Sequence, residues 1–215
     1  MRLSWELGLH TNEAFRLKAF SGSRVPAKKK VYLSPEEIEQ MANLNLDHQP
    51  GLAKERDRFL ISYYLLLRYG DSVKISKGNV TESGGQMYYQ NRSEKTKDVS
   101  FIPIKPAALA ILERHDYNLS GGANQDSNRK LKAIAAMAGI NTNMGIEDGT
   151  VTPKSSLVTT HTARRSAATN LHLAGVPISE IMQLGGWKKE GTLKAYLLAG
   201  GIELAKVSAG RAFFL

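Results

Sequence analysis

The stretch HTARRSAATNLHLAGVPISEIMQLGGWKKEGTLKAY, from His161 to Tyr196, constrains this chain more than any other part of it. His161, Arg164 and Arg165 stand three and four residues apart, so a helix places them on one side and sets an imidazole beside a guanidinium. Ala163, Ala167, Leu171 and Ala174 give the same helix a face to bury. Gly175 stops it, and Pro177 starts a second helix with Ile178, Ile181, Met182 and Leu184 inward. Gly185-Gly186 breaks that helix before Trp187, and Tyr196 follows nine residues later on a third, short helix.

The remaining segments surround this stretch with helices and a small sheet. Residues 1–30 carry seven Lys or Arg against Glu6 and Glu13, and SGSRVPAKKK reads as a flexible basic linker. A solvated tail and a strap tracking a polyanion are equally good readings of it. YLSPEEIEQMANL has Ser34 as N-cap, Pro35 at the first position, acidic residues in the first turn, and Ile38 and Met41 inward. A core helix is expected over 54–69, around Phe59, Leu60, Tyr63, Leu66 and Leu67, with Arg68 and Asp71 near its end. An arginine after an apolar helix is ordinarily a surface cap.

Residues 79–104 change period: two strands about a Gly84-Gly85 turn, then KDVSFIPI as a third, with Val99 and Phe101 on one face and Pro103 at its end. The polar hairpin loop before the third strand carries Lys95 and Lys97, with Arg92 at its start; loop cations of this kind are usually just solvated. PAALAILERH is a helix. NQDSNRKLKAIAAMAGI is another, with Leu131, Ile134, Ala135 and Met137 inward and Arg129, Lys130 and Lys132 on its polar side. A long loop without apolar period is expected from Asn141 to Ser156. After Tyr196, Ile202, Leu204, Ala205 and Val207 suit one more amphipathic helix, followed by the apolar end Ala212 to Leu215.

Composition narrows the partners. A chain of 215 residues holds 29 Lys and Arg against 20 Asp and Glu, a net charge of +9 and a pI near 9.7. Globular chains this basic usually meet a polyanion, though charge alone does not choose DNA over RNA. The absence of Cys excludes disulfide scaffolds, thiolate zinc sites and thiol nucleophiles, and fits a reducing, cytoplasmic setting. No apolar run approaches the ~20 residues of a membrane span.

The order His161-x-x-Arg164, Trp187 after a glycine, and Tyr196 nine residues on resembles the C-terminal signature of the tyrosine recombinases, the phage integrase family. Most members carry His where Trp187 stands; the Cre-type recombinases carry Trp after a similar pair of glycines. The resemblance extends to LLRYGD, which is similar to the family's GLR-x-x-E/D with Leu66 in place of Gly, and to Lys95-Thr96 before a strand ending Ile-Pro-Ile. It covers roughly residues 33–215, and RDRFLISYYLLLRYGD and HTARRSAATN are most like integrases of mobile elements. It implies a mainly helical α+β catalytic domain with a three-stranded antiparallel sheet, preceded in residues 1–32 by the end of a core-binding domain and its linker.

The resemblance also implies a chemistry. Tyr196 is the nucleophile, Arg68 and Arg164 bind the non-bridging oxygens of a DNA phosphate, and Lys95 protonates the leaving 5′ oxygen. His161 moves a proton or donates a hydrogen bond, Trp187 positions, and Asp71 orients Arg68. Arg164 and Arg165 compete on spacing alone; the family register favours Arg164. Arg92, Lys97, Arg129, Lys130 and Arg165 are candidate DNA contacts. The product is a covalent 3′-phosphotyrosine, formed without cofactor or metal, on double-stranded attachment sites. The assembly on DNA that the resemblance implies is a homo-tetramer bridged by the C-terminal helix; the same helix folded back in cis is an equally good reading. Type IB topoisomerases share this chemistry without exchanging partners, and a catalytically idle DNA-binding protein keeps the fold alone; both remain alternatives.

Overall fold

The computed structural model describes residues 2–16, 29–92, 99–147, 150–198 and 201–210. The basic linker and the loop lysines Lys95 and Lys97 lie outside the described residues. A short helix α1 (Arg2–Glu6) leads, with Arg16 stacked 3.9 Å from the Trp5 ring. The chain enters the main body along one buried edge, where the backbone N–H of Leu33 donates to Ser166 Oγ at 2.8 Å and its carbonyl accepts from Asn170 Nδ2 at 3.1 Å.

Helix α2 (Pro35–Ala42) begins at a complete capping box, Ser34 with Glu37, and buries Ile38 and Met41 as the sequence leads one to expect. Helix α3 (Pro50–Tyr64) is the central rod. It ends earlier than its apolar run, because Leu66 adopts a left-handed φ of 49° and breaks the hydrogen-bond ladder. The run therefore divides into α3, a buried corner of Leu65, Leu66 and Leu67, and a short helix α4 (Tyr69–Ser72). Burial on α3 extends to Glu55, Arg56, Asp57 and Arg58, which satisfy one another and their neighbours by ion pairs.

Three strands, β1 (Val80–Ser83), β2 (Gln86–Arg92) and β3 (Val99–Pro103), form an antiparallel meander in the order of the sequence. Gly84 and Gly85 take φ of 58° and 76°, the values a two-residue hairpin turn needs for its twist to match the strands. Tyr89 pairs with Ile102, and both face the core; Val99 and Phe101 share the opposite face, which is exposed.

Helices α5 (Pro106–Arg114) and α6 (Asn124–Met137) close the main core. Leu131, Ile134 and Ala135 are buried on α6, but Met137 is 47% exposed, and Ala138 and Ile140 after it pack on the core in its stead. Residues 141–156 are not a loop. They form a hairpin, β4 (Asn143–Glu147) and β5 (Thr150–Pro153), followed by a 3-10 turn over Lys154–Leu157. Its strands are short and mostly exposed, so they leave no apolar alternation to read.

Helix α7 (Thr160–Leu173), α8 (Ile178–Gly185) and α9 (Glu190–Lys194) follow, with Gly175 at φ 85° and Pro177 as the N-cap of α8. Ala163 and Ala167 are buried as expected, while Ala174 caps the helix and is exposed. A second, smaller core forms here from Leu66, Ala167, Ala168, Ile181, Trp187 and Leu193. Helix α10 (Gly201–Ala209) lies next to α7 and leaves Leu204 exposed. Among the described residues no helix is long and apolar enough to cross a membrane.

Candidate active site

The second core is the floor of a polar cluster. Thr159 caps α7, its backbone N–H donating to Thr162 Oγ1 at 3.0 Å, so the helix starts where it must to put His161 in its first turn and Arg164 one turn on. The break after α8 brings Trp187 back toward α7. Tyr196 lies just beyond α9 rather than on it, its backbone N–H donating to Leu193 O at 2.7 Å, and Thr169 Oγ1 accepts from Leu198 N–H at 3.3 Å. Three segments thus converge through backbone geometry.

The result is a contiguous set. His161 Nε2 is 2.7 Å from the Tyr196 hydroxyl. Trp187 meets Tyr196 edge to face at 5.4 Å between centroids, and the Arg164 guanidinium lies 3.9 Å from the Trp187 ring on its other contact. Arg164 is 0% exposed and donates from Nη1 to Leu66 O and from Nη2 to Gly185 O at 2.6 Å. Its Nε has no hydrogen-bond partner among the described residues. The left-handed Leu66 is what turns its carbonyl inward to receive this arginine.

Arg68 enters the cluster from the start of α4. Its side chain is 43% exposed and reaches Asp71 at 3.9 Å, long for a hydrogen bond, and Asp71 Oδ2 is buried with no hydrogen-bond partner among the described residues. Tyr89 ties the sheet to this point: burial, then the nearby Asp71 carboxylate, push its phenol up to about 12. Below α4 lies a buried polar network. Arg58 donates from Nη1 to Glu55 Oε2 at 2.8 Å and to Ser127 Oγ at 3.3 Å, and from Nε to Leu119 O at 2.7 Å. Ser127 reaches the Tyr69 hydroxyl at 3.3 Å, which in turn donates to Gly122 O, so the residue after Arg68 is anchored from beneath.

The electrostatics follow from this crowding. Burial lowers the affinity of His161 for a proton, and Arg165, Arg164, Arg68 and Lys30 lower it further. Burial, then the charge of Arg68, bring Arg164 down to about 9, which leaves it a cation at neutral pH. A cleft of about 210 Å³ opens beside the cluster, lined by Arg68, Asn91, Ser100, Gly186, Trp187 and Lys188 among others. Its mouth adjoins the ends of β2 and β3.

Of the residues singled out from the sequence, the structure gathers Arg68, Asp71, His161, Arg164, Trp187 and Tyr196. The two competing arginines take different partners: Arg165 is buried as well and donates to Val31 O at 3.3 Å, while its charge still acts on His161. Arg92 is exposed at the end of β2. Arg129 and Lys130 both pair with Asp126 at 2.7 Å. The sequence reading passed over Asn91 and Ser100 in the cleft wall and the carbonyls of Leu66 and Gly185, which hold Arg164; only the Gly185-Gly186 break hinted at any of these. Among the described residues no group of three His, Cys, Asp or Glu gathers to hold a metal ion.

Comparison with known proteins bears on this arrangement. No curated protein matches the chain in sequence. Among solved structures, the XerA recombinase is 18% identical with a TM-score of 0.61, over 86% of this chain and 66% of that one. The XerH site-specific recombinase bound to palindromic difH substrate, in its post-cleavage complex, is 12% identical with a TM-score of 0.62, over 86% of this chain and 54% of that one. The Tn1549 transposon integrase in complex with circular intermediate DNA is 14% identical with a TM-score of 0.59, over 98% and 74%. At these identities the likeness is one of fold, and this chain spans between half and two thirds of the two recombinases. The sequence model of the phage integrase family matches residues 31–199, and the chain belongs to that family.

Proposed function

We propose that this chain is the catalytic domain of a site-specific DNA recombinase that cuts and rejoins strands through a 3′-phosphotyrosine on Tyr196. The observation that carries the reading is the Tyr196 hydroxyl 2.7 Å from His161 Nε2, inside a ring of cations. A phenol is almost wholly protonated at neutral pH and a weak nucleophile; a neutral imidazole at this distance can take its proton. The phenol oxygen then attacks phosphorus, the bond to the 5′ oxygen breaks, and that oxygen leaves as a hydroxyl once protonated. Lys95 is the proposed donor of that proton. Rejoining is the reverse, with a 5′ hydroxyl from another strand, and needs no external energy source because the phosphate bond is kept.

Arg68 and Arg164 supply the positive charge that the trigonal-bipyramidal phosphate demands. Arg68 is exposed and offers its fork directly. Arg164 spends two of its five N–H groups on the Leu66 and Gly185 carbonyls, which fixes its plane and leaves three. Asp71 orients Arg68, and Trp187 positions Arg164 and Tyr196 by packing. The net charge of +9 supports a polyanion and the family match supports double-stranded DNA, with Arg92, Lys97, Arg129 and Lys130 as outer phosphate contacts, the last two exchanging Asp126 for phosphate. Residues 1–32 belong to the end of a core-binding domain and its linker, and Arg165 holds that linker at Val31. Tetramer assembly on DNA through α10 is part of the same proposal, with the helix exchanging its place beside α7 for a neighbouring subunit. The site of action is the cytoplasm.

The test is covalent trapping on nicked duplexes bearing the candidate attachment site. The native chain forms a protein–DNA adduct that resists denaturation, and Tyr196→Phe forms none. DNA binding without adduct by the native chain overturns the reading in favour of an idle DNA-binding protein.

A further inference from the structure

We propose that Gly185 is a positioning residue for strand cleavage: its missing side chain seats the Trp187 indole on the Arg164 guanidinium, while its carbonyl holds that same guanidinium. The inference rests on the cleavage reading above and concerns how its cluster is assembled.

A Cβ built at Gly185 falls 1.8 Å from Cζ3, 2.3 Å from Cε3 and 2.8 Å from Cη2 of Trp187. Carbon atoms in contact stay roughly 3.5–4.0 Å apart, so the ring has to move by more than an ångström. The indole is 6% exposed, with Arg164 at 3.9 Å and Tyr196 at 5.4 Å, so a ring pushed off Gly185, even into the cleft it helps to line, gives up its seat on both. Backbone freedom is not the reason for glycine here, because the left-handed residue at this corner is Gly186, with φ 66°. Gly185 ends α8 in a conformation that alanine adopts readily, and helix propensity by itself favours the alanine. The steric conflict reverses that sign.

All three clashing atoms belong to the six-membered part of the indole. A five-membered imidazole at position 187 lacks them. Residues 185 and 187 therefore form a coupled pair, in which the tryptophan requires the glycine and a histidine does not.

The experiment compares four proteins: native, Gly185→Ala, Trp187→His and the double variant, each in a Trp5→Phe background so that position 187 alone reports indole fluorescence. Gly185→Ala is expected to shift the Trp187 emission to the red and to slow adduct formation about 10²-fold at unchanged DNA affinity, the cost of an ångström-scale misplacement. In the Trp187→His background the same substitution is expected to change the rate less than about threefold, as for sites that no longer share a contact. Native emission and rate in Gly185→Ala, or equal slowing in both backgrounds, overturns the proposal. Should Gly185→Ala fail to fold, a folded double variant supports the coupling and an unfolded one overturns it. If the native chain forms no adduct, the cleavage reading fails, while emission and thermal melting still decide whether residue 185 seats the indole.

Discussion

The hydroxyl of Tyr196 and Nε2 of His161 are 2.7 Å apart, and burial followed by four surrounding cations keeps that imidazole below its ordinary pKa of 6.5. A neutral imidazole with its proton on Nδ1 can accept the phenol's hydrogen bond at this distance, the contact that the proposed base and nucleophile require.

This sets a pH dependence with a definite sign. The unfolded chain takes up a proton at His161 more readily than the folded one, so the stability gained by keeping it neutral is complete above 6.5 and is lost as pH falls through the lower folded value. The melting temperature should fall on acidification from about pH 7 to about pH 5, and His161→Gln should flatten part of that slope. Adduct formation should decline over the same window, since a protonated His161 no longer accepts from Tyr196. Thermal melts and trapping assays across the range check both.

Arg164→Lys and Arg164→Ala should separate charge from geometry. Arg164 binds two carbonyls in different directions, Leu66 O and Gly185 O. Lysine retains the charge but lacks the planar fork, and adduct formation is expected to fall about 10²–10³-fold, the usual worth of one transition-state donor. Alanine additionally leaves buried carbonyls unpaired, at about 1–3 kcal/mol each, which urea denaturation would register.

Arg58 lies away from the reacting atoms, yet its loss should be severe. It is buried against Glu55 and holds Ser127 and Leu119 O, so Arg58→Ala leaves an uncompensated carboxylate and should cost about 3–5 kcal/mol. Glu55→Ala should be comparably damaging. A pair of variants each within about 1 kcal/mol of native in urea would show that this network does not brace α4.

Leu66→Gly tests two opposed effects. The left-handed φ of 49° costs a leucine about 1–2 kcal/mol, which glycine would recover. The side chain is nevertheless buried in the second core, and deleting a buried leucine costs about 2–5 kcal/mol. Burial wins, so Leu66→Gly is expected to destabilise by a net ~1–3 kcal/mol, measured by denaturation.

The elements with strong local signals were legible from residues alone. The Ser34 capping box, the Gly84-Gly85 hairpin and the helix-break-helix pattern around Gly175 and Gly185-Gly186 each draw on backbone preferences that act within a few residues. The set of His161, Arg164, Trp187 and Tyr196 was visible only through the family resemblance, since on spacing alone Arg165 competes with Arg164. Weaker signals misled. The apolar run through Leu67 read as one helix although it turns at Leu66, because hydrophobic periodicity does not register a single left-handed residue. The hairpin from Asn143 to Pro153 passed for a loop, because short exposed strands carry no apolar alternation.

Sequence by itself determined the kinds of chemistry available: a phenol, an imidazole, two arginines and an indole at fixed intervals, on a chain with no thiol and a large positive charge. Tertiary structure decided which of them meet. It gave Arg164 and Arg165 different partners, the Leu66 and Gly185 carbonyls for the one and Val31 O for the other. It buried Glu55 to Arg58, a stretch that composition would have left in water, because Glu55 pairs with Arg58 and Arg56 with Asp57 inside α3 while Arg114, Ser127 and the Leu119 carbonyl reach them from elsewhere in the chain. The contacts of Arg58 with Leu119 O and of Arg164 with Leu66 O join residues 61 and 98 positions apart, and no local preference along the chain carries that information.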